Sequence, residues 1–333
     1  IADIQRLPLQ IRGRKRVLMI HTTKTTRGLF ELVVLLDELR QLGVEEIFLL
    51  IPYLGYARQH MNDKPKAEKY GLHALTVNSA KIILEIIRLY TPTLSIVNPH
   101  FFKDPGLREF KEVKGLQIEN IDAFPLVARY FQERTRTLKL QNPIFIAPDR
   151  GALEYVQRAA GSVGWPFGFL EKRRVSGEEV ERPTEDILTI QNGQEAKIDV
   201  SERDVIMLDD IISTGGTVRS AAKIFRRQGA RQVLAAAIHG IFAGGTGKYS
   251  QELIKVFSTD SIQHTRAVIG LEELIAEFVK ARHSTSSSPM VNAVGINLGG
   301  IEFSFYKIKV RLEALFRLKE MVDFAKDKAI KYA

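Results

Sequence analysis

The run V-I-M-L-D-D-I-I-S-T-G-G-T at 205–217 decides the reading of this chain. Its first four residues, Val205, Ile206, Met207 and Leu208, are apolar without interruption, as in a short buried parallel strand. Two carboxylates follow, Asp209 and Asp210, and then a loop of small residues, Ser213, Thr214, Gly215, Gly216 and Thr217. Beyond the loop, Val218, Ala221, Ala222, Ile224 and Phe225 recur at helical spacing. The loop therefore joins the carboxyl end of a strand to the amino end of a helix, where open parallel sheets collect their ligands. Glycines let a ligand approach the backbone, and the free N–H groups and dipole of a helix start favour an anion, phosphate above all. The two acids suit a different part of the ligand. They accept hydrogen bonds from ribose hydroxyls, or bind a Mg²⁺ that accompanies phosphates. An acid pair ahead of a phosphate nest reads as a sugar-phosphate site. A plain capped turn would explain G-G-T alone, but not the acids in front of it.

The same strand-to-helix rhythm runs outward in both directions. Strands are expected at 16–20, 46–51, 94–97, 115–121, 144–147, 167–170, 232–238, 252–257 and 266–269. Between them lie helical patterns, such as Leu29, Leu32, Val33, Leu36 and Leu39 on one face, and others at 74–90, 125–135, 152–161 and 272–280. This alternation predicts an α/β protein with two similar, doubly wound, parallel-sheet domains. The expected division is 1–140 and 141–281, with a polar loop at 175–195 that is mobile or hairpin-like. Residues 282–333 begin with the linker H-S-T-S-S-S-P and continue as two strands around Gly299-Gly300 and an amphipathic helix.

Composition sets the class. The chain has 333 residues, 45% of them apolar and 26% charged, which suits a globular protein with ample core. It has no Cys, which excludes a disulfide framework and thiolate chemistry and fits a reducing cytoplasm. No apolar run approaches the roughly 20 residues of a membrane span, and the first residues lack a signal-peptide pattern. The net charge of +9 suits an enzyme of polyanionic substrates. A nucleic-acid surface is the less favoured reading, because the basic residues are scattered and not interleaved with aromatics.

Other candidates also sit at strand ends. His100 and Asp149 end strands in different halves. Facing each other, they would hold one Mg²⁺ together with phosphate oxygens and waters. Taken singly, His100 is a loop histidine and Asp149 a helix cap. Lys172 and Arg174 offer cations suited to the charge on a transferring phosphoryl group, or else form a solvated basic loop. Arg58 and Gln59 follow two tyrosines. The guanidinium would stack on a purine or bridge phosphates and the amide would read a polar edge, unless the segment is a surface turn.

Together these residues resemble the ribose-phosphate pyrophosphokinase (phosphoribosyl pyrophosphate synthase) family. The stretch 209–217 is similar to the phosphoribosyl pyrophosphate loop shared with phosphoribosyltransferases. The synthases specifically are matched by Pro52-Tyr53 with Tyr56-Ala57-Arg58-Gln59, by Asn98-Pro99-His100, by Ala147-Pro148-Asp149-Arg150-Gly151-Ala152, by Glu171-Lys172-Arg173-Arg174 and by Thr259-Asp260. The set looks most like the shorter archaeal members. The resemblance implies two domains of the phosphoribosyltransferase type, with the site between them and completed by a neighbouring subunit of a homo-oligomer. It implies Mg²⁺-dependent transfer of the diphosphoryl group of ATP to O1 of ribose 5-phosphate. By position, His100 and Asp149 would bind the metal, Lys172 and Arg174 would stabilise the transferring group, and Arg58, Gln59 and His100 would contact ATP. Asp209 and Asp210 would hold the ribose hydroxyls, and Ser213, Thr214, Gly215, Gly216 and Thr217 the 5-phosphate.

The chain departs from the family in the ATP half. An F-P-D-G-E-like segment of the family lies upstream of the region matching Ile1 to Arg6. The family's N-D before the first helix is Thr26-Arg27 here, the Asp after A-R-Q is His60, and a later G-E falls at Gly71-Leu72 or Leu72-His73. The ribose-phosphate half is intact. A catalytically weak paralogue acting as a regulatory or binding subunit, associated with nucleic acid through its charge, is therefore the alternative. A phosphoribosyltransferase is less favoured, because it would leave the blocks at 58–59 and 172–174 idle.

Overall fold

The computed structural model describes residues 15–58, 78–172, 185–251 and 254–284. These described residues form two compact units, one from the stretch up to 121 together with 270–284, the other from 122–269. The expected line near residue 140 falls within the second unit, because the helix at Phe124–Glu133 packs on that unit's sheet.

In the first unit, β1 (Arg16–Ile20), β2 (Glu46–Ile51), β3 (Thr93–Val97) and β5 (Gln117–Ile121) run parallel. A short β4 (Gly106–Glu109), which has no apolar signal in the sequence, pairs antiparallel with β5 and makes the order β1-β2-β3-β5-β4. Helix α1 (Thr26–Gln41) buries Leu32, Leu35, Leu36 and Leu39 against Val17, Met19, Leu49 and Ile51 of the sheet. Thr25 caps it by accepting from Gly28 N at 3.0 Å. Helix α2 (Ser79–Arg88), capped by Asn78, adds Leu84 and Ile87 to the same core. The earlier part of the expected 74–90 helix lies outside the described residues, as does 285–333.

The second unit begins with α3 (Phe124–Glu133) and the short α4 (Thr135–Leu138). Its strands are β6 (Ile144–Ala147), β7 (Phe167–Lys172), β8 (Glu185–Gln191), β9 (Gln194–Lys197), β10 (Asp204–Ile212), β11 (Gln232–Gly240), β12 (Lys255–Thr259) and β13 (Ala267–Ile269). They form one sheet in the order β13-β12-β11-β10-β6-β7-β8-β9. All pairs are parallel except β7 with β8 and β8 with β9, so the end of the polar 175–195 segment is a hairpin. Helix α5 (Leu153–Val163) lies with α3 on one face, where Phe124 stacks on Tyr155 with ring centres 4.7 Å apart. Helix α6 (Gly216–Arg227) covers the other face and buries Val218, Ala221, Ala222, Ile224 and Phe225 against Val205, Met207 and Ala235. Helix α7 (Gly247–Gln251) follows β11, and α8 (Glu272–Ser284) belongs to the first unit.

One difference from the sequence reading bears on the site. The strand does not stop at Leu208. It runs on through both acids to Ile212, because β11 continues beside it and pairs Ile211 with His239 and Ile212 with Gly240.

Candidate functional site

Strand order locates the site in the second unit. From β6 the chain proceeds outward to β7, β8 and β9. From β10 it proceeds the other way to β11, β12 and β13. β6 and β10 are neighbours, so the direction reverses between them, and ligands bind beyond the carboxyl ends of strands at such a switch point. β6 ends next to Asp149, and β10 ends in Asp209, Asp210 and the Ser213–Thr217 turn.

Asp149 is exposed and extended (φ −157°, ψ 174°), and it caps a 3₁₀ turn at Arg150–Ala152. Its Oδ1 accepts from Gly151 N at 2.9 Å. Arg150 is clamped between Glu171, 2.9 Å away, and Glu195, at 2.7 Å, and lies over the Phe169 ring. These two acids hold its proton more firmly than usual, Glu195 first.

The acid pair is unequal. Strand alternation puts Asp209 on the α6 side with Val205 and Met207, and Asp210 on the α5 side. Asp209 is half-buried and Asp210 is buried. Asp210 N donates to Asp209 Oδ1 at 2.9 Å, and Ile211 N donates to Asp210 Oδ1 at 2.8 Å. Burial pushes the Asp209 carboxyl well above its ordinary value. The negative charge of Asp210, a carboxyl–carboxyl hydrogen bond with it, and the charge of Asp149 add to this. On the α5 side, burial and then Asp210 raise the Tyr155 phenol far above its usual range. Arg158 lies over that ring and pairs with Asp122 at 2.8 Å.

The turn opens α6 with Gly215 in the left-handed region (φ 74°). No side chain caps this helix, and its first turn carries no acid, so its leading N–H groups are open to an anion. A Cβ at Gly216 would meet nothing within 4 Å. Ser213 is half-buried, and its carbonyl accepts from Ala243 N at 3.0 Å, which anchors the turn to the segment after β11. Thr214 and Thr217 are exposed.

In the first unit, the loops after β1 and β2 are tied together. Thr23 N donates to Tyr53 O at 3.0 Å, and Gly55 N donates to Thr23 Oγ1 at 2.9 Å. A Cβ on Gly55 would fall 2.1 Å from Thr23 O, so only glycine fits there. Tyr56, in the left-handed region (φ 63°), shares a 2.9 Å hydrogen bond with Thr26, and Arg27 pairs with Glu31 at 2.7 Å. His21 Nε2 donates to Gly28 O at 2.8 Å, and burial lowers its pKa, so it sits neutral beneath this loop. Arg58 is exposed; His100 is half-buried after the strained Asn98 (φ 39°). Gln59, Arg174 and the Lys172 side chain lie outside the described residues, as do His60, Gly71, Leu72 and His73. Among the described residues no group of three or more His, Asp or Glu converges as metal ligands. No described helix is long and apolar enough to cross a membrane.

Sequence reasoning missed Tyr249, which packs against Gly215, and Tyr155, whose phenol feels the charge of Asp210 and carries Arg158 over its ring. Each reads as an ordinary helix residue.

Comparison with known proteins gives the class first. Residues 117–274 match the phosphoribosyl transferase domain, and residues 4–84 match the N-terminal domain of ribose phosphate pyrophosphokinase. Ribose-phosphate pyrophosphokinase 2 of Archaeoglobus fulgidus is 32% identical over 265 residues, covering 79% of this chain and 83% of the relative. The ribose-phosphate pyrophosphokinase of Pyrococcus furiosus is 34% identical over 235 residues, 70% of this chain and 73% of the relative. The crystal structure of phosphoribosylpyrophosphate synthetase from Mycobacterium smegmatis shares the fold, with TM-score 0.61 at 20% identity over 81% of this chain and 83% of that one. The second unit is thus an α/β domain of the phosphoribosyltransferase type. The chain belongs to the ribose-phosphate pyrophosphokinase family of transferases.

Proposed function

We propose that this chain is a ribose-phosphate diphosphokinase. O1 of ribose 5-phosphate attacks the β-phosphorus of ATP, the bond from that phosphorus to the oxygen shared with the α-phosphate breaks, and AMP leaves. The products are phosphoribosyl pyrophosphate and AMP. One observation carries the reading: the β6/β10 switch point gathers two acids and an uncapped, glycine-nested helix start in a chain of this family. Asp209 and Asp210 accept hydrogen bonds from the ribose hydroxyls. The 213–217 turn takes the 5-phosphate, and the cations at 172 and 174 meet the charge on the transferring group. Arg58, Gln59 and His100 contact ATP.

The donor set suits Mg²⁺, which takes one or two carboxylates and fills its other positions with waters and substrate phosphate oxygens. Asp149 keeps one carboxylate oxygen outside its turn hydrogen bond, where it would take one position on the ion. When bound, the ion would neutralise charge on the phosphates of ATP.

The test is release of AMP from ATP that depends on both ribose 5-phosphate and Mg²⁺. Asp210→Ala should lower kcat/KM for ribose 5-phosphate by about 100-fold while leaving the circular dichroism spectrum unchanged. Wild-type-like kinetics in that variant would refute the assigned role. A second reading, a weakly active binding subunit, draws on the loop after β1. The positions of the family's N-D are Thr26, bonded to Tyr56, and Arg27, paired with Glu31. Binding of ribose 5-phosphate without AMP release would favour it.

A further inference from the structure

Tyr249 lies in α7, directly behind the 213–217 turn. Its ring is wholly buried in the core beneath α6 and meets Phe242 edge-on at 5.6 Å. The hydroxyl at its tip is also buried, yet it has no hydrogen-bond partner. It faces the turn: a Cβ built on Gly215 would fall 1.9 Å from Tyr249 Oη. Residue 215 must therefore be glycine twice over, for its left-handed backbone and for this approach. Burial pushes the phenol up to about 12, against the nearby Arg219 charge, so the group is a donor throughout the neutral range.

A buried hydroxyl without a partner destabilises the protein that carries it, and phenylalanine would fill the same space without that penalty. The open N–H groups of α6 are a second unmet set of donors at the same turn. Both sets of donors lie at the 213–217 turn. We propose that Tyr249 is a further residue of the anion site, its hydroxyl donating to the phosphate held by the 213–217 turn and gaining in the bound state the partner it otherwise lacks. This rests on reading the turn as a phosphate site.

Tyr249→Phe removes only the hydroxyl. Binding of ribose 5-phosphate and, separately, of inorganic phosphate is measured by titration calorimetry for wild type and variant, together with the Tm of each without ligand. The expected result is a Kd about tenfold higher for both ligands in the variant, with a ligand-free Tm equal to or above that of wild type. Unchanged affinity in the variant, when wild type binds, would overturn the role of Tyr249 and leave the phosphate site standing. Weaker binding of ribose 5-phosphate alone would also overturn it, since the hydroxyl would then face the sugar. A fall in the ligand-free Tm would show that the hydroxyl serves the fold. If wild type binds neither ligand, the reading of the turn fails and this inference with it.

Discussion

At the residue scale, Asp209 carries the sharpest electrostatic conflict of the described site. Burial, Asp210 and Asp149 all disfavour its charge, so its folded-state pKa stands above its unfolded value of 3.8. A raised folded value contributes stability that is fully present below the unfolded pKa and is lost as pH rises through the folded one. The ligand-free protein should therefore lose stability relative to Asp209→Asn as pH increases from about 4 toward neutrality. Urea denaturation of both proteins across that range checks this, and parallel curves would sink it. On the proposed reading, ribose hydroxyls or a cation would relieve this conflict. The sequence displayed the acid pair openly. It could not reveal that Asp210 faces inward toward Tyr155, because strand alternation acts only once the strand is known to continue through both acids.

At the element scale, β10 is central, paired on both sides. Its first residue is pinned by a network with no local signature. Asp204 is wholly buried; it accepts from Gln141 N at 2.6 Å and Gln232 Nε2 at 2.8 Å, and it pairs with Arg231. These bonds hold the entry to β6, the start of β10 and the start of β11 in register. Asp204→Ala should cost about 3–5 kcal/mol, since it removes the shared acceptor of a backbone N–H, an amide and a guanidinium that keeps only its bond to Lys139 O. Guanidinium chloride unfolding measures it, and a loss below about 1 kcal/mol would show the network to be peripheral. Strands and helices with strong periodicity were legible from the sequence, notably 16–20, 46–51 and 144–147. The weakly marked β4 was not, because an exposed edge strand needs no apolar face.

At the scale of the whole molecule, we propose self-association. Ile82, Ile86 and Leu89 lie along α2 and its cap, and are 47%, 36% and 67% exposed. Spacings of four and three residues put them on one face, an apolar stripe of the kind that marks contacts between chains. Ile86→Glu should shift the sedimenting species toward a smaller one at equal concentration. A wild type already monomeric, or a variant of unchanged size, would refute this. The excess of positive charge suits polyphosphate substrates, and it makes salt-sensitive association with nucleic acid the outcome to exclude.

The sequence by itself determined the α/β rhythm and the family, because these rest on local periodicity and short motifs that do not depend on distant residues. Only the tertiary structure decided that β6 and β10 are neighbours, which brings Asp149 to the same end of the sheet as Asp209, Asp210 and the turn. It alone set the unequal burial of the acid pair and stranded the Tyr249 hydroxyl behind Gly215. Strand order and packing across a sheet depend on which distant segments meet. The run at 205–217 suggests a ligand chemistry, but which residues stand beside it is decided by the fold.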